Sequence, residues 1–425
     1  MTDNMYTLLV RLYPICRSLT GDGVRQTLSV LREFLPGLTV REVPSGTRCL
    51  DWTVPREWNI ENAWIEDEEG KRWVDFRENN LHIVGYSVPA DEWLTPEELD
   101  TRLYSLPDQP DAIPYVTSYY APRWGFCVPH SLRVRMREDP GKFRAVVESE
   151  LKDGSLTYGE LIFPGETDRE VLLSTYICHP SMANDNLSGP VVAAFLARWL
   201  SERPRRLTYR VLFIPETLGS IVYLSRHAGE LKTRVAAGYV LTCCGDERAW
   251  SFLPSRAGNT LADRAARHVL KHFAPLYTEY PFLTRGSDER NWCAPGADLP
   301  VASIMRSKYG TFPEYHTSLD DPGLVTPKGL EESLEVCRRC VEVLESNATW
   351  RTACLGEPQL GKRGLYPTVS RVGSAEGWVR DMKNVLAYCD GEHDLLSVAE
   401  TIEAPFGRCL EIAEKLESAG LLNKL

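Results

Sequence analysis

Residues 170–200, EVLLSTYICHPSMANDNLSGPVVAAFLARWL, decide the fold of this chain. The segment EVLLSTYI is a continuous apolar run, which is typical of a strand buried on both faces. A polar loop follows it, and GPVVAAFLARWL then has the length and composition of a buried helix. A strand, a loop and a helix in this order predict one unit of a parallel sheet with flanking helices.

The same alternation continues on both sides of that stretch. TYRVLFIP (208–215) and VAAGYVLTCC (235–244) are further buried strands, each followed by a helical segment. VASIMRS (301–307) is another, and a long helix begins near Pro327. We therefore predict an α/β domain with a mixed, mainly parallel sheet and flanking helices over residues 1–40 and 136–350.

Two segments have a different character. Residues 41–135 are rich in Trp, Tyr, Pro and β-branched residues, and WIEDEEGKRWVDF (64–76) predicts a hairpin, so we expect a small inserted β-rich domain. Residues 351–425 predict three short helices that resemble a winged-helix domain. Such a domain can bind DNA, but the acidic character of residues 374–425 favours packing or protein contact instead.

The charge balance and the N-terminus limit the classes of partner. The chain has 48 Lys and Arg against 59 Asp and Glu, a formal charge of −11, so binding to nucleic acid is not expected. The first residues lack the basic and apolar regions of a signal peptide. The apolar run VVAAFLARWL (191–200) is too short for a membrane span of about 20 residues. We expect a cytoplasmic protein without a membrane partner, and self-association is left open.

Polar side chains follow the predicted buried strands. In open α/β sheets, ligands bind beyond the carboxyl ends of the strands, so these side chains are candidates for a site. The candidates at these strand ends and in the loops around the last strand are His179, Asp185, Glu216, Asp246, Asp288, Glu289, His316 and Asp320.

Two histidines and several carboxylates at such positions are typical of a zinc hydrolase. Imidazole nitrogen and carboxylate oxygen bind zinc at about 2.0–2.2 Å, and a catalytic zinc keeps three protein ligands and one open position for water. A separate carboxylate then accepts the proton of that water. We predict that His179, Asp185 and His316 are the zinc ligands. Glu216 is then the general base.

Each of these residues also has an ordinary structural interpretation. His179 could be a hydrogen-bonded loop residue, and Asp185 could cap the helix that begins near Ser188. Glu216 could cap a helix or pair with an arginine. For any one residue the structural interpretation is the better one, whereas four such residues at three strand ends favour a site. A serine hydrolase has less support, because the chain has no G-x-S-x-G turn at its candidate serines.

The order of these motifs resembles the zinc aminopeptidase superfamily, which includes bacterial leucyl aminopeptidases and glutaminyl cyclases. The motifs are a histidine, then DNLSG (185–189), a glutamate after the next strand, and HTSLD (316–320). The resemblance implies a zinc-exopeptidase-like fold and metal ligands at the three residues already predicted. It also implies that Glu216 is the general base and that Asp320 supports His316.

Longer strings are similar to a narrower group, called aminopeptidase-like domain proteins. They include RSLTGDGVRQTL (17–28), VPSGTRCLDWTVPREWNI (43–60) and TYICHPSMANDNLSGP (175–190). Members of this group are often labelled polysaccharide or secondary-metabolite biosynthesis proteins. The resemblance covers nearly the whole chain and implies a metallopeptidase-like domain, an inserted β-rich domain and a C-terminal winged helix.

Two positions depart from the aminopeptidase pattern. Those enzymes carry Glu-Glu where this chain has Glu216-Thr217, and Asp246 lies slightly late to match the aspartate ligand after their next strand. We therefore expect one tightly bound zinc ion, with a second one weak or absent. Asp246, Asp288 and Glu289 are candidates for a second metal or for the amine of the substrate.

The predicted function is zinc-dependent hydrolysis of an amide bond, aminopeptidase-like, in a small peptide or aminoacyl conjugate. Arg123 and Trp124, within SYYAPRWGF (118–126), are expected to close over the site and bind the substrate, and packing at a domain interface explains that stretch equally well. One alternative is a zinc deacylase or amidohydrolase that tailors a natural product or a sugar. Another is a non-catalytic protein that keeps the fold and binds a partner or DNA.

Overall fold

The structure of the chain is a computed structural model that describes residues 4–365 and 374–425. The first three residues of the predicted segment 1–40, and part of the segment 351–425, therefore lie outside the described residues. The chain divides into two compact units. The first consists of Met1–Gly258 and Thr278–Glu335, and the second of Asn259–Tyr277 and Val336–Leu425.

The strands and helices are numbered in chain order. The strands are β1 (Thr39–Pro44), β2 (Arg48–Cys49), β3 (Trp52–Thr53), β4 (Glu57–Asp67), β5 (Arg72–Asp75), β6 (Ala90–Leu94), β7 (Leu103–Tyr104), β8 (Phe126–Cys127), β9 (Phe143–Lys152), β10 (Ser155–Phe163), β11 (Glu170–Tyr176), β12 (Thr208–Ile214), β13 (Val235–Leu241), β14 (Ser251–Leu253), β15 (Thr278–Glu279), β16 (Val301–Met305), β17 (Thr349–Thr352), β18 (Asp390–Asp394) and β19 (Leu422–Lys424). The helices are α1 (Met5–Leu12), α2 (Asp22–Phe34), α3 (Pro96–Asp100), α4 (His130–Glu138), α5 (Ser188–Ser201), α6 (Leu218–Arg234), α7 (Leu261–Phe273), α8 (Glu289–Trp292), α9 (Pro327–Ser346), α10 (Ser374–Tyr388), α11 (Leu395–Thr401) and α12 (Phe406–Ser418).

An eight-stranded mixed sheet forms the centre of the first unit, in the order β1-β10-β12-β11-β13-β16-β14-β15. The four neighbouring strands β12, β11, β13 and β16 are parallel, and antiparallel pairs lie on either side of them. Every residue of β11 is buried, as its apolar sequence predicts for a central strand. The expected mixed, mainly parallel α/β sheet is confirmed, and the ends of its parallel strands lie at one edge.

A second, antiparallel sheet is built from the β-rich segment, in the order β5-β4-β9-β6. The predicted hairpin is present, since β4 and β5 pair across a turn that contains Gly70. Buried aromatic rings pack behind it, with Trp58 stacked on Tyr86 at 5.7 Å between ring centroids. The central strand β9 lies past residue 135, so this sheet takes in a strand that the prediction assigned to the segment 136–350.

A partly buried ion pair, in which Glu57 is buried and Arg25 is partly exposed, joins α2 to the start of β4. The two guanidinium Nη atoms of Arg25 lie 2.8 and 2.6 Å from the carboxylate oxygens of Glu57, and the backbone N–H of Ser155 donates to the same carboxylate at 2.9 Å. The Arg25 hydrogen bonds lower the pKa of Glu57 to about 2. The pair therefore stabilises the fold only while Glu57 is ionised.

We expect Glu57→Gln to lower the free energy of unfolding by about 2 kcal/mol near neutral pH. The folded pKa of Glu57 is below its value of about 4.3 in the unfolded chain, so its stabilisation is complete above pH 5 and is lost as the pH falls towards 2. Urea unfolding between pH 3 and pH 7 should show the two proteins converging at low pH. Glu42→Gln is the matched control, because Glu42 binds the same arginine at 3.1 Å but is half exposed. An equal loss in both variants, or a loss independent of pH, would contradict the prediction.

The second unit contains a three-stranded antiparallel sheet, β18-β17-β19, with α10, α11 and α12. The three helices agree with the prediction, and the strands add the small sheet of a winged helix. Within this unit Arg264 of α7 binds Asp394 at 3.1 Å and Glu400 at 2.8 Å. In the described parts of the chain, the structure contains no helix with the length and apolar composition needed to span a bilayer.

Candidate functional site

Three predicted ligands converge at the edge of the large sheet. The ligand atoms of His179, Asp185 and His316 all lie within 4.8 Å of one another, and among the described residues this is the one such group of three metal-binding side chains. His316 Nε2 lies 3.0 Å from Asp185 Oδ2. The two atoms are not aligned for a hydrogen bond, and neither has another partner in the described structure. Buried polar atoms without partners are costly, so this arrangement fits a cation held between them.

The fold places these ligands on different loops. His179 follows the end of β11, and Asp185 lies in the single π-helical turn Ala183–Leu187 that precedes α5. Asp185 does not cap α5, because its Oδ1 instead accepts the hydroxyl hydrogen of buried Tyr176. Burial lowers the pKa of His179 to about 4, so its imidazole is neutral at pH 7 with a lone pair available for a metal.

His316 is held in an unusual backbone conformation. Its φ of 57° lies in the left-handed region, which costs non-glycine residues of order 1 kcal/mol or more and is found preferentially at functional sites. The ring of His316 stacks on Tyr315 at 3.9 Å, and Tyr115 meets it edge-on at 5.2 Å. The backbone N–H of Tyr115 also donates to the His316 carbonyl at 2.9 Å. The contacts with Tyr115, which is distant from His316 in the sequence, therefore hold the His316 ring in place.

Two buried charged residues hold the loops that carry the ligands. Asp320 accepts the backbone N–H groups of Asn184 and Asp185 at 2.6 and 2.8 Å, so it ties the loop of His316 to the loop of Asp185. The guanidinium of Arg17 donates to the carbonyl of His179 at 2.9 Å. The supporting role predicted for Asp320 is thus compatible with its position, although it acts through the backbone around Asp185.

We expect Asp320→Ala to weaken zinc binding by roughly 10- to 100-fold, the usual effect of removing a residue that orients metal ligands. The loss follows because two backbone N–H groups beside Asp185 would lose their acceptor. Competition with a chromogenic chelator measures the affinity. Asp321→Ala is the matched control, since this exposed neighbour accepts only the N–H of Gly323 at 2.8 Å. Equal affinities of Asp320→Ala and the wild type would show that Asp320 does not position the ligand.

The predicted general base lies beside this cluster. Glu216 follows β12, and its Oε2 is 3.7 Å from Nε2 of His179. The next residue, Thr217, forms a γ-turn with φ 63° and ψ −69°, in which the N–H of Leu218 donates to the Glu216 carbonyl at 2.6 Å. Burial raises the pKa of Glu216 well above its usual value, and the carboxylates of Asp288 and Asp185 raise it further. A carboxylate with a raised pKa is a stronger base than that of an exposed glutamate, which suits it to accept a proton.

Asp288 supports the strained turn. Its Oδ1 accepts the backbone N–H of Thr217 at 2.8 Å and the hydroxyl of Ser220 at 2.7 Å, and its side chain is fully buried. Burial raises the pKa of Asp288 to about 6. The structure therefore places Asp288 behind the backbone next to Glu216.

Asp246 and Glu289 make structural hydrogen bonds away from the three-ligand cluster. Asp246 accepts the side-chain amide of Asn184 at 3.0 Å, and both its oxygens also bind Ser307, at 2.8 and 2.9 Å. Glu289 accepts the N–H groups of Gly286 and Ser287, at 2.9 and 3.1 Å, and the hydroxyl of Tyr309 at 2.6 Å. Neither residue belongs to the group of three metal-binding side chains, and a role for either at a second metal stays a prediction.

Arg123 and Trp124, predicted to close over the site, are not among the residues that line the cavity beside the cluster. Trp124 is only 5% exposed and packs edge-on against Phe126 in the core of the β-rich region, since a large apolar ring is more stable there. Arg123 donates to the carbonyl of Thr117 at 3.3 Å. Packing, the other interpretation offered for this stretch, describes Trp124, whereas Arg123 is exposed.

Other residues line the cavity above the cluster, which has a volume of about 310 Å³. Its lining contains Leu19, Trp52, Tyr115, Thr117, Tyr119, Tyr120, Cys178, His179, Glu216, Thr217, Leu218, Arg290 and His316. The predicted aromatic stretch 118–126 does reach the cavity, but through Tyr119 and Tyr120 and not through Arg123 and Trp124. Tyr115 and Arg290 were missed, because only the long-range pairing of loops brings them to the cluster.

Comparisons with known proteins cover the whole chain. A family model described as "Domain of unknown function (DUF4910)" matches residues 6–347, and one described as "winged helix-turn-helix" matches residues 348–424. A protein of Clostridium acetobutylicum is 42% identical over 424 residues, which are 98% of this chain and 95% of the relative. Its name describes a polysaccharide biosynthesis protein with an aminopeptidase-like domain. The resemblance and the winged helix expected from the sequence are confirmed.

Solved structures agree with that result. A crystal structure from Clostridium acetobutylicum, described as a candidate peptidase, matches with a TM-score of 0.93 and 40% identity over 99% of this chain and 96% of that chain. BSAP, a zinc aminopeptidase from Bacillus subtilis, matches with a TM-score of 0.59 and 11% identity, over 80% of this chain and 94% of that chain. The aminopeptidase from Aneurinibacillus sp. strain AM-1 matches with a TM-score of 0.53 and 13% identity, over 80% of this chain and 93% of that chain. The last two likenesses confirm the expected aminopeptidase-like fold.

Proposed function

This chain belongs to the family described as domain of unknown function DUF4910, and from that premise we propose that it is a zinc-dependent hydrolase of amide bonds. The observation that carries the proposal is the pair of buried, unpartnered atoms, Asp185 Oδ2 and His316 Nε2, with His179 and Glu216 beside them. The aminopeptidase-like fold and the zinc aminopeptidase among the structural neighbours support the same activity.

The three side chains fit zinc in number and in chemistry. Two imidazoles and one carboxylate are ligands that zinc prefers, and a set of three leaves a position for water or substrate. Zinc bound there supplies a Lewis acid that polarises a carbonyl and lowers the pKa of water. His179, Asp185 and His316 would hold one such ion. The proposal is for a single ion, because Thr217 replaces a carboxylate at the position next to the base, and Asp246 and Glu289 are engaged elsewhere.

Glu216 moves the proton in this proposal. Its carboxylate accepts a proton from the attacking water, and the carboxyl group then donates that proton to the amide nitrogen as the C–N bond breaks. The raised pKa of Glu216 makes its carboxylate a stronger base than that of an exposed glutamate, which supports the first of these steps. The γ-turn at Thr217, held by Asp288, orients Glu216 towards the ligand cluster.

The test is whether amide hydrolysis requires bound zinc. The full chain is stripped with a chelator, dialysed, and reloaded with zinc or magnesium, and the metal is counted by mass spectrometry. We expect about one zinc per chain, and hydrolysis of acetylated and free-amine amino acid amides by the zinc form alone. Hydrolysis by the stripped protein, or no zinc binding at micromolar free zinc, would contradict the proposal.

A further inference from the structure

We propose that the substrate carries a carboxylate that binds Arg290, and that the bond cleaved is an amide bond between an acyl group and a nitrogen of the substrate. The substrate has no free amine next to that bond. The inference rests on the proposed function and names its substrate class. An N-acyl amino acid has this chemistry.

The cavity offers no carboxylate for a substrate ammonium group. Glu216 is the single acidic residue among its described lining residues, and the proposed reaction requires it as the base. Asp288 and Glu289, predicted to bind a substrate amine, are fully buried and are not among the residues that line the cavity. An ammonium group that leaves water without an anionic partner is strongly disfavoured. A free-amine substrate would therefore bind poorly here.

Arg290 gives the cavity a cation instead. It is exposed, and one of its Nη atoms donates to Oγ1 of Thr217, the residue that follows Glu216. A guanidinium carries five N–H donors in a fork that matches a carboxylate, and this hydrogen bond uses one of them. The contact with Thr217 fixes the guanidinium next to the base, where it can bind a substrate carboxylate.

The walls of the cavity strengthen this pairing and suit an acyl group. Leu19, Tyr115 and Tyr119 contribute apolar and aromatic surface, which lowers the local dielectric and strengthens an ion pair. Trp52 and Tyr120 are 41% and 54% exposed, with ring centroids 6.2 Å apart. The hydroxyl of Tyr120 donates to the Thr53 carbonyl at 2.8 Å, which orders this ring for contact with an apolar part of the substrate.

The reaction on such a substrate balances with water alone. The C–N bond of the N-acyl group breaks, and a C–O bond forms between the acyl carbon and the water oxygen. One water proton passes through Glu216 to the departing nitrogen. The products are a free carboxylic acid and an amino acid, and no oxidant, reductant or further reactant is needed.

Three probes with one side chain separate the substrate classes. They are N-acetyl-L-phenylalanine, which has the carboxylate and no free amine, N-acetyl-L-phenylalaninamide, which has neither charge, and L-phenylalaninamide, which has only the free amine. Acetate or ammonia release by the zinc-loaded full chain gives kcat/KM for each. We expect the first probe to be hydrolysed roughly 10-fold or more faster than the other two, because only it can pair with Arg290.

Arg290→Gln tests the assigned residue. We expect kcat/KM for N-acetyl-L-phenylalanine to fall roughly 10- to 100-fold, mostly through KM, with little change for N-acetyl-L-phenylalaninamide and unchanged zinc content. Arg290→Lys should restore part of the loss. Arg285→Gln is the matched control, because Arg285 lies over the ring of Phe282 at 4.8 Å and does not line the cavity. Thr217→Val reports any effect that Arg290 exerts through its hydrogen bond to Thr217.

Two results would overturn the inference and leave the proposed function standing. One is preferred hydrolysis of L-phenylalaninamide, and the other is an equal loss on both acetylated probes in Arg290→Gln. Calorimetric binding of N-acetyl-L-phenylalanine to the zinc-loaded Glu216→Gln protein gives a readout independent of turnover. Binding that requires both the probe's carboxylate and Arg290, without hydrolysis of any of the three probes by the zinc-loaded wild type, would support the carboxylate site at Arg290 and contradict the proposed function. Binding that does not require them would overturn the inference.

Discussion

Glu216→Gln is expected to lower kcat for amide hydrolysis by about 10³-fold, within the range usual for loss of a general base. Glutamine keeps the shape of the side chain and removes its ability to accept a proton. Because Glu216 lies beside the ligand cluster and is not one of its three members, the zinc content should not change. The measurement is steady-state hydrolysis with the metal counted on the same protein.

The control for this variant is Glu247→Gln. Glu247 is an exposed carboxylate that binds Lys328 at 2.8 Å, and its replacement should leave kcat within about twofold of the wild type. Full activity of Glu216→Gln would show that another group accepts the proton. Loss of zinc together with activity would instead place Glu216 among the metal ligands, which the proposal excludes.

His179→Ala and His316→Ala are each expected to abolish stoichiometric zinc binding. Removal of one of three ligands leaves the other two unable to close the site, so the affinity should fall by more than the 10- to 100-fold that is typical of an outer partner. Metal content after dialysis, and zinc affinity by chelator competition, measure the effect. We also expect zinc to raise the thermal midpoint of the wild type and of neither variant, because a ligand that binds only the folded state stabilises it.

His393→Ala is the control for these two variants. His393 is exposed and binds Asp390 at 2.7 Å in the second unit, outside the cluster, so its replacement should leave one zinc per chain. Retention of zinc by either ligand variant would show that the cluster is not the metal centre. A circular dichroism spectrum identical to that of the wild type would confirm that the loss of zinc is not a loss of folding.

The candidate ligands could be predicted from the sequence because of a topological rule. Apolar runs such as those at 170–176 and 208–214 can be recognised locally, and the ends of parallel strands meet at one edge of a sheet. His179 and Glu216 were found in that way, each directly after its strand. The hairpin at 64–76 and the helices of the C-terminal segment were predictable for the same reason, since each depends on residues close together in the chain.

The partners of the buried carboxylates were not predictable. Asp246, Asp288 and Glu289 lie near strand ends as ligands would, and the sequence left open whether they bind a second metal or the substrate amine. The difference lies in hydrogen bonds to distant residues, such as Asp246 with Ser307 and Asp288 with Thr217. Both oxygens of Asp246 accept hydrogen bonds from the protein, whereas Asp288 is bound through Oδ1 alone, and only the folded structure shows these differences.

The sequence by itself therefore determined the α/β class, the edge of the sheet that carries the site and the three candidate ligands that meet there, because strand burial and motif spacing are local properties. Tertiary structure alone decided the lining of the cavity. Arg290 approaches Thr217 from 73 residues away, and Tyr115 reaches His316 through a backbone hydrogen bond between distant loops. Trp124, which was predicted to bind the substrate, is buried in the core of the β-rich region. Long-range packing selects among side chains of similar chemistry, and that selection depends on contacts that no local pattern records.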